Sequence, residues 1–249
     1  SGFVINYAYH DRWNKMTTIS FFKRRLIRLH PMLIMGAFIG LICFLIGGSM
    51  QWSGNTIPFY ISIITFLLTC FMIPALPGSF NEVRGNGELF PLNGPMWSLF
   101  FEYIGNILYA LFIRRLSTKL LTLLVILLGI LHSIFTIGNL SGYGNLGVGW
   151  TFDTINFCGG MLRMLFPFTL GMLISRCFKA IKLPYPFFLS SILLIATLSV
   201  PYLPAFKAIN LNGIYESLCI IAIFPLILTI GASSQEKSKL SQTLGELSY

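Results

Sequence analysis

The chain has 249 residues, 55% of them apolar and only 10% charged, with a mean hydropathy of +0.77. A water-soluble domain carries about a quarter of its residues charged, so a soluble globular protein is excluded. The formal charge of +9, from 17 Lys and Arg against 8 Asp and Glu, would suggest nucleic acid on a soluble protein, but in a membrane protein it reports topology first, and no nucleic-acid partner is expected.

The apolar residues fall into blocks of about 17 to 22 residues, the length a helix needs to cross ~30 Å of hydrocarbon. Alternating ten-residue β-barrel patterning is absent, so the expected class is all-α, a polytopic transmembrane helical bundle. No internal repeat or low-complexity linker divides residues 1–249, which predicts a single membrane domain. The chain opens on a short apolar tail at 1 to 9, with no initiator Met and no signal peptide, and closes at Leu240 to Tyr249 as if a further helix were beginning. Both features predict a fragment of a longer protein.

A basic stretch follows the tail, with six cations at 12 to 28: Arg12, Lys15, Lys23, Arg24, Arg25 and Arg28. From Phe21 to Pro31 the apolar residues share a face that could lie on the membrane. On a helix Arg25 and Arg28 are three apart and Arg24 and Arg28 four apart, so three guanidinium forks can converge on one anion such as a phosphate. The same run would serve equally as a topology signal or an attraction for anionic lipid.

The next blocks are 31 to 50, 57 to 76, 96 to 113, 120 to 136, 154 to 175, 187 to 205 and 213 to 232. Further basic clusters lie at 114 to 119, at 176 to 182, and at Lys237 and Lys239; with the first they hold 14 of the 17 cations and are assigned to the cytoplasm. Two blocks separate each later pair of clusters, as closed excursions require, but three lie between Arg28 and Arg114. One of the three must therefore enter and leave on the same face. The segment near 57–76, bracketed by Pro58, Pro74 and Pro77, is the expected re-entrant element. Residues 78 to 95 then face outward, the helix from Met96 runs inward, and a cavity is expected beside the re-entrant loop.

Ionisable groups inside hydrocarbon cost about 2.5 to 3.5 kcal/mol on insertion scales and are functional candidates by default. Glu102 lies about two turns into the helix that follows Pro95, with Ser98 one turn before it on the same face and Trp97 beside it. A carboxyl there could orient a base, accept a proton or hold a ligand hydroxyl, or simply pair with another helix, for instance with Arg163. Arg163 sits in mid-span between Gly159-Gly160 and Pro167, about 20 Å along the helix from Arg176. It cannot reach the surface by snorkelling, so it is read as an interior anion site or as the partner of Glu102. His132 is read as a packing residue, Glu216 as solvated or paired, Asp153 as a helix cap, and His10 and His30 as surface groups. The five cysteines lack CxxC spacing and are read as packing residues; no metal site is expected. Walker, HExxH and GxSxG motifs are absent, so ATP hydrolysis, zinc proteolysis and a serine-hydrolase elbow lack support.

Five features in this order resemble the acyltransferase-3 family of membrane-bound acyltransferases. They are Ser1-Gly2-Phe3; Arg24-Arg25-x-x-Arg28-x-x-Pro31; Trp97-Ser98-Leu99-x-x-Glu102 after Gly94-Pro95; Arg163 with Phe166, Phe168 and Gly171; and Leu244-Gly245-Glu246-Leu247-Ser248-Tyr249. The resemblance covers the whole chain. It implies a multi-pass protein of the bacterial inner (plasma) membrane that moves an acyl group, acetyl above all, from cytoplasmic acyl-CoA to a hydroxyl of a sugar or polysaccharide acceptor. Acyl-CoA would be a co-substrate, with no bound cofactor. Arg24, Arg25 and Arg28 would meet the donor phosphates with Arg163 as a further substrate-binding residue, and Trp97, Ser98 and Glu102 would belong to the catalytic interior. The family's catalytic histidine would lie on a helix upstream of Ser1, so none of His10, His30 or His132 is assigned as the base, and the fragment alone could be inactive. Read on residues alone, a transporter or translocase of a sugar or lipid-linked substrate remains the alternative.

Overall fold

The computed structural model describes residues 1–207 and 209–234; Lys237, Lys239 and the motif from Leu244 to Tyr249 lie outside them. Among the described residues the regular structure is helical, with three isolated β-bridges and no longer strand. Four helices are long and apolar enough to cross a membrane: Thr18–Ile46, Thr118–Ile137, Thr154–Cys177 and Leu211–Ala232. The chain is therefore a membrane protein. Its described residues divide into two compact units, one of Trp13–Arg115 with Gly147–Leu165, the other of Ser1–Arg12, Leu116–Leu146 and the described residues from Phe166 onward.

In the first unit, helix α2 (Thr18–Ile46; α1 is Gly2–Tyr9 of the other unit) begins where the Thr17 side chain accepts a hydrogen bond from the Ser20 N–H at 3.2 Å. Its 29 residues span about 43 Å. The basic segment and the block at 31 to 50, separate in the sequence reading, are one helix with Pro31 inside it. Proline forfeits one backbone hydrogen bond, whereas breaking the helix in hydrocarbon would strand several, so the helix runs through.

Helix α3 (Phe59–Cys70) has 12 residues, about 18 Å, too short to cross alone. Met72 then takes a left-handed φ of +57° and reverses the chain. On the return, the Trp52 N–H donates to the Arg84 carbonyl at 3.0 Å and the Gln51 amide to the Glu82 carbonyl at 3.3 Å. The strand of chain after α3 thus comes back to the level from which α3 set out, the geometry of a re-entrant element. Glu82 holds the turn by accepting the Gly78 and Gly87 N–H groups at 2.6 and 2.5 Å.

From there an irregular stretch descends along α2. The Asn93 amide donates to the Leu33 carbonyl at 3.5 Å, and Gly40 lies so close to the Leu92 carbonyl that a Cβ there would overlap it. Irregular backbone at membrane depth must be enclosed, and here protein encloses it: Val83, Leu89, Phe90 and Leu92 are at most 2% exposed, packed with Leu33, Leu41, Phe44 and Met96. The sequence predicts a cavity beside this loop; around the irregular stretch the structure packs the apolar side chains just named. Helix α4 (Trp97–Leu111) consequently begins near the midpoint of α2 and has 15 residues, about 22 Å, instead of the full crossing expected at 96 to 113. It runs antiparallel to α2 and ends where Tyr109 meets Phe21 and Trp13, the Trp13 indole donating to the Tyr109 hydroxyl at 3.1 Å.

Helix α5 (Thr118–Ile137) belongs to the second unit, and helix α6 (Thr154–Cys177) contributes its first half to the first unit and its second half to the other. Asp153 caps α6 as expected, its carboxylate accepting the Asn156 N–H at 2.9 Å. In the second unit, Gly2 approaches the Phe168 carbonyl and Gly171 approaches the Phe3 N–H, so the small residues of two resemblance motifs are the crossing point of α1 and α6. His132 is fully buried with its ring 5.3 Å from Phe166, in accord with a packing role. Helix α7 (Pro186–Leu198) stops short of the expected block at 187 to 205 because Pro201 and Pro204 follow. Helices α8 (Leu211–Leu218) and α9 (Phe224–Ala232) are joined by a π-helical turn at Cys219–Ile223, widened ahead of Pro225. Glu216 is paired: it accepts the Leu146 N–H at 2.7 Å and the Asn212 amide at 3.1 Å. All five cysteines are free, and only Cys219 is buried.

Candidate functional site

Every candidate residue singled out by the sequence lies in the first unit, on α2, α4 and the first half of α6. Pro95 opens the turn that leads into α4, and the exposed Ser98 hydroxyl donates to the Pro95 carbonyl at 2.9 Å, tightening that start. One turn further on, Glu102 faces α2. Its Oε1 accepts from the Arg25 guanidinium at 2.6 Å, and the pair is only 4% and 23% exposed on the Arg and Glu side. At that burial the pair is held by low-dielectric attraction and shared hydrogen bonding, and removing either partner costs the other a buried ion pair.

This pairing answers one question left open by the sequence: Glu102 has an interhelical partner, and that partner is Arg25. It also divides the arginine run. Along α2, Arg24 is exposed and Arg25 turns into the protein, with Arg28 half-buried at an angle between them. Arg25 meets Glu102, so the three forks do not present one shared face.

Arg163 lies with its guanidinium 4.7 Å from the centre of the Trp97 ring and donates to the Val148 carbonyl at 3.3 Å. The indole face is an attractive seat for a buried cation. Close approach is set by Gly149, at φ +107°, where any side chain would strike Trp97 and Gly160. Phe101, 1% exposed, completes the wall against Gly160 and Phe157.

Two residues that the sequence left unassigned join the site. His30, read as a surface group, lies 3.3 Å from the Tyr103 hydroxyl through its Nδ1, beside the Glu102 pair. Asn106 is wholly buried one turn beyond Glu102, and among the described residues neither its amide nitrogen nor its oxygen has a hydrogen-bond partner. The i, i+4 spacing of Ser98, Glu102 and Asn106 was the available signal: three polar side chains stacked on one face of an apolar helix.

Among the described residues no group of three His, Cys, Asp or Glu side chains could hold a metal ion. The arrangement can therefore supply a carboxylate held by a guanidinium, an imidazole on a phenol, an unsatisfied amide and a cation on an indole, all within a membrane-embedded helical frame. A family model described as an acyltransferase domain matches residues 1–249, the whole chain. No curated protein and no solved structure matches it.

Proposed function

The chain belongs to the acyltransferase-3 family and is a membrane acyltransferase, and we propose that it moves an acetyl group from cytoplasmic acyl-CoA to a hydroxyl of a sugar or polysaccharide at the bacterial inner membrane. The observation that carries the site is the buried Arg25–Glu102 pair at 2.6 Å. A sugar hydroxyl is a weak nucleophile, and its attack on a thioester needs its proton removed. The hydroxyl oxygen bonds to the acyl carbon, the carbon–sulfur bond breaks, and the thiolate leaves to be protonated as free CoA.

The family resemblance assigns the role of base to none of His10, His30 and His132. Glu102, with its charge balanced by Arg25, serves as a positioning group for the base or for the acceptor. Asn106 offers the hydroxyl both a donor and an acceptor from the next turn. Trp97 gives a sugar a flat apolar wall, and Arg163 behind it supplies positive charge toward the developing oxyanion. Arg24 and Arg28, on the basic face of α2 away from the ion pair, meet donor phosphates.

The test is label transfer from [acetyl-14C]acetyl-CoA in membranes carrying the full-length protein. Label in a carbohydrate fraction, lost in Glu102→Gln, supports this reading. Cleavage with label recovered only in lipid or protein fractions would replace the sugar acceptor, and absence of thioester cleavage would remove the acyl-CoA donor.

A further inference from the structure

The second unit contains a polar cavity of about 820 Å³ with no part in the site above. That volume falls in the range of about 300–1,000 Å³ typical of small-molecule sites. Its walls come from the end of α1 and the turn after it (Asn6, Arg12), the start of α5 (Ser117, Thr118) and the end of α6 (Ser175, Arg176). All three element ends carry basic clusters, so the cavity opens at the end of the helices assigned to the cytoplasm.

Three independent features give it a ligand preference. Arg176 is held at the wall by donating to the Leu116 carbonyl at 2.7 Å, and Arg12 adds a second guanidinium, with Asp11 the one carboxylate lining the cavity among the described residues. The N-terminus of the 20-residue α5 opens there, capped by Ser117 through the Leu120 N–H at 3.3 Å, with Thr118 lining the cavity. Such an end carries about half a positive charge and free N–H groups. Finally, Asn6 is 2% exposed; its amide nitrogen donates to the Ser175 hydroxyl at 3.1 Å, while its Oδ1 has no partner among the described residues. A buried acceptor left open calls for a donor from whatever fills the cavity.

We propose that this cavity is a binding site for a phosphate-bearing ligand that also carries an N–H or O–H donor. Phosphate oxygens lie against Arg12, Arg176 and the first turn of α5, and the donor reaches the Asn6 Oδ1. Two sources share this chemistry: the nucleotide carrier of an acyl thioester, with its phosphates and amides, and a lipid headgroup such as that of phosphatidylglycerol. Naming the carrier as the source rests on the acyl-CoA reading above, and a carrier held here is a second molecule, separate from the donor whose phosphates meet Arg24 and Arg28; the site itself rests on neither.

The experiment uses the full-length protein in phosphatidylcholine nanodiscs, with calorimetric titration of coenzyme A and, separately, of short-chain phosphatidylglycerol. Thr118→Glu places a carboxylate in the first turn of α5, where the helix dipole favours it, so the fold is kept while anions are repelled. Arg176→Gln removes the pinned charge, and Lys179→Gln removes a nearby cation that does not line the cavity. Coenzyme A binding that weakens at least tenfold in Thr118→Glu and Arg176→Gln, and less than twofold in Lys179→Gln, supports the site with the carrier as ligand. The same pattern with phosphatidylglycerol but no coenzyme A binding supports the site, assigns it to lipid and counts against the acyl-CoA reading. No binding of either probe, or equal weakening by Thr118→Glu and Lys179→Gln, overturns the proposal.

Discussion

At the scale of single residues, the Arg25–Glu102 pair decides most. Breaking a buried pair by removing one partner costs about 3–5 kcal/mol, whereas replacing both with apolar groups of similar size is often neutral. Glu102→Gln is therefore expected to lower unfolding stability in detergent by about 3 kcal/mol, and the double variant Arg25→Met/Glu102→Met to recover most of that loss. If the pair positions the reacting groups, the double variant stays inactive although stable; a stable and active double variant would reduce the pair to a packing device. Glu102 was legible from sequence because a carboxylate in an apolar helix is costly. Its partner was not, since Arg25 looked like one of three equivalent surface cations until α2 proved continuous and packed against α4. Asn106 is not legible in the same way, because a neutral amide carries no comparable penalty signal; only its spacing from Ser98 and Glu102 points to it.

Helices and loops carry the next set of consequences. Gly36 and Gly40 of α2 admit Asn93 and the Leu92 carbonyl of the buried irregular stretch. Gly40→Val forces a side chain into backbone and is expected to destabilise by at least the about 1–3 kcal/mol of an overpacked core, with Gly48→Val, where a Cβ meets only the Met50 Cγ at 3.9 Å, too strained at its φ of +87° to act as a control; Cys43→Val on the exposed face of α2 is the proper comparison. Equal stability of the Gly40 and Cys43 variants by thermal unfolding would contradict the close approach. At the start of α6, burial alone raises the pKa of the Asp153 carboxyl, but the backbone N–H of Asn156, the Thr151 hydroxyl and the Asn156 amide outweigh it and hold the group below the ordinary carboxylate value. Its stabilisation is present above that ordinary value of about 4 and is lost as pH falls through the lower folded value. Wild type is thus expected to lose more melting temperature than Asp153→Asn between pH 6 and pH 3, and parallel losses would refute the assignment. The cap and the re-entrant element were readable from Asp153 and from the bracketing prolines. The shortness of α4 was not, because apolar composition alone does not distinguish a spanning helix from a buried loop followed by half a helix.

For the whole molecule, charge distribution, hydropathy and the four spanning helices agree on a multi-pass membrane protein. With 57–76 re-entrant, tags inserted at Gly85 and Asn145 should both be accessible from outside intact cells, and one at Ser117 only after permeabilisation. A protected tag at Gly85 would break the parity argument and with it the cytoplasmic placement of the arginine run. The central claim, however, is chemical. Thioester cleavage by purified full-length protein in nanodiscs, measured as free thiol released from acetyl-CoA with an acceptor-containing sugar mixture, tests it most directly. The account predicts acceptor-dependent thiol release that falls at least a hundredfold, about 2.7 kcal/mol of transition-state stabilisation, in Glu102→Gln. Release that is unchanged in Glu102→Gln would contradict it.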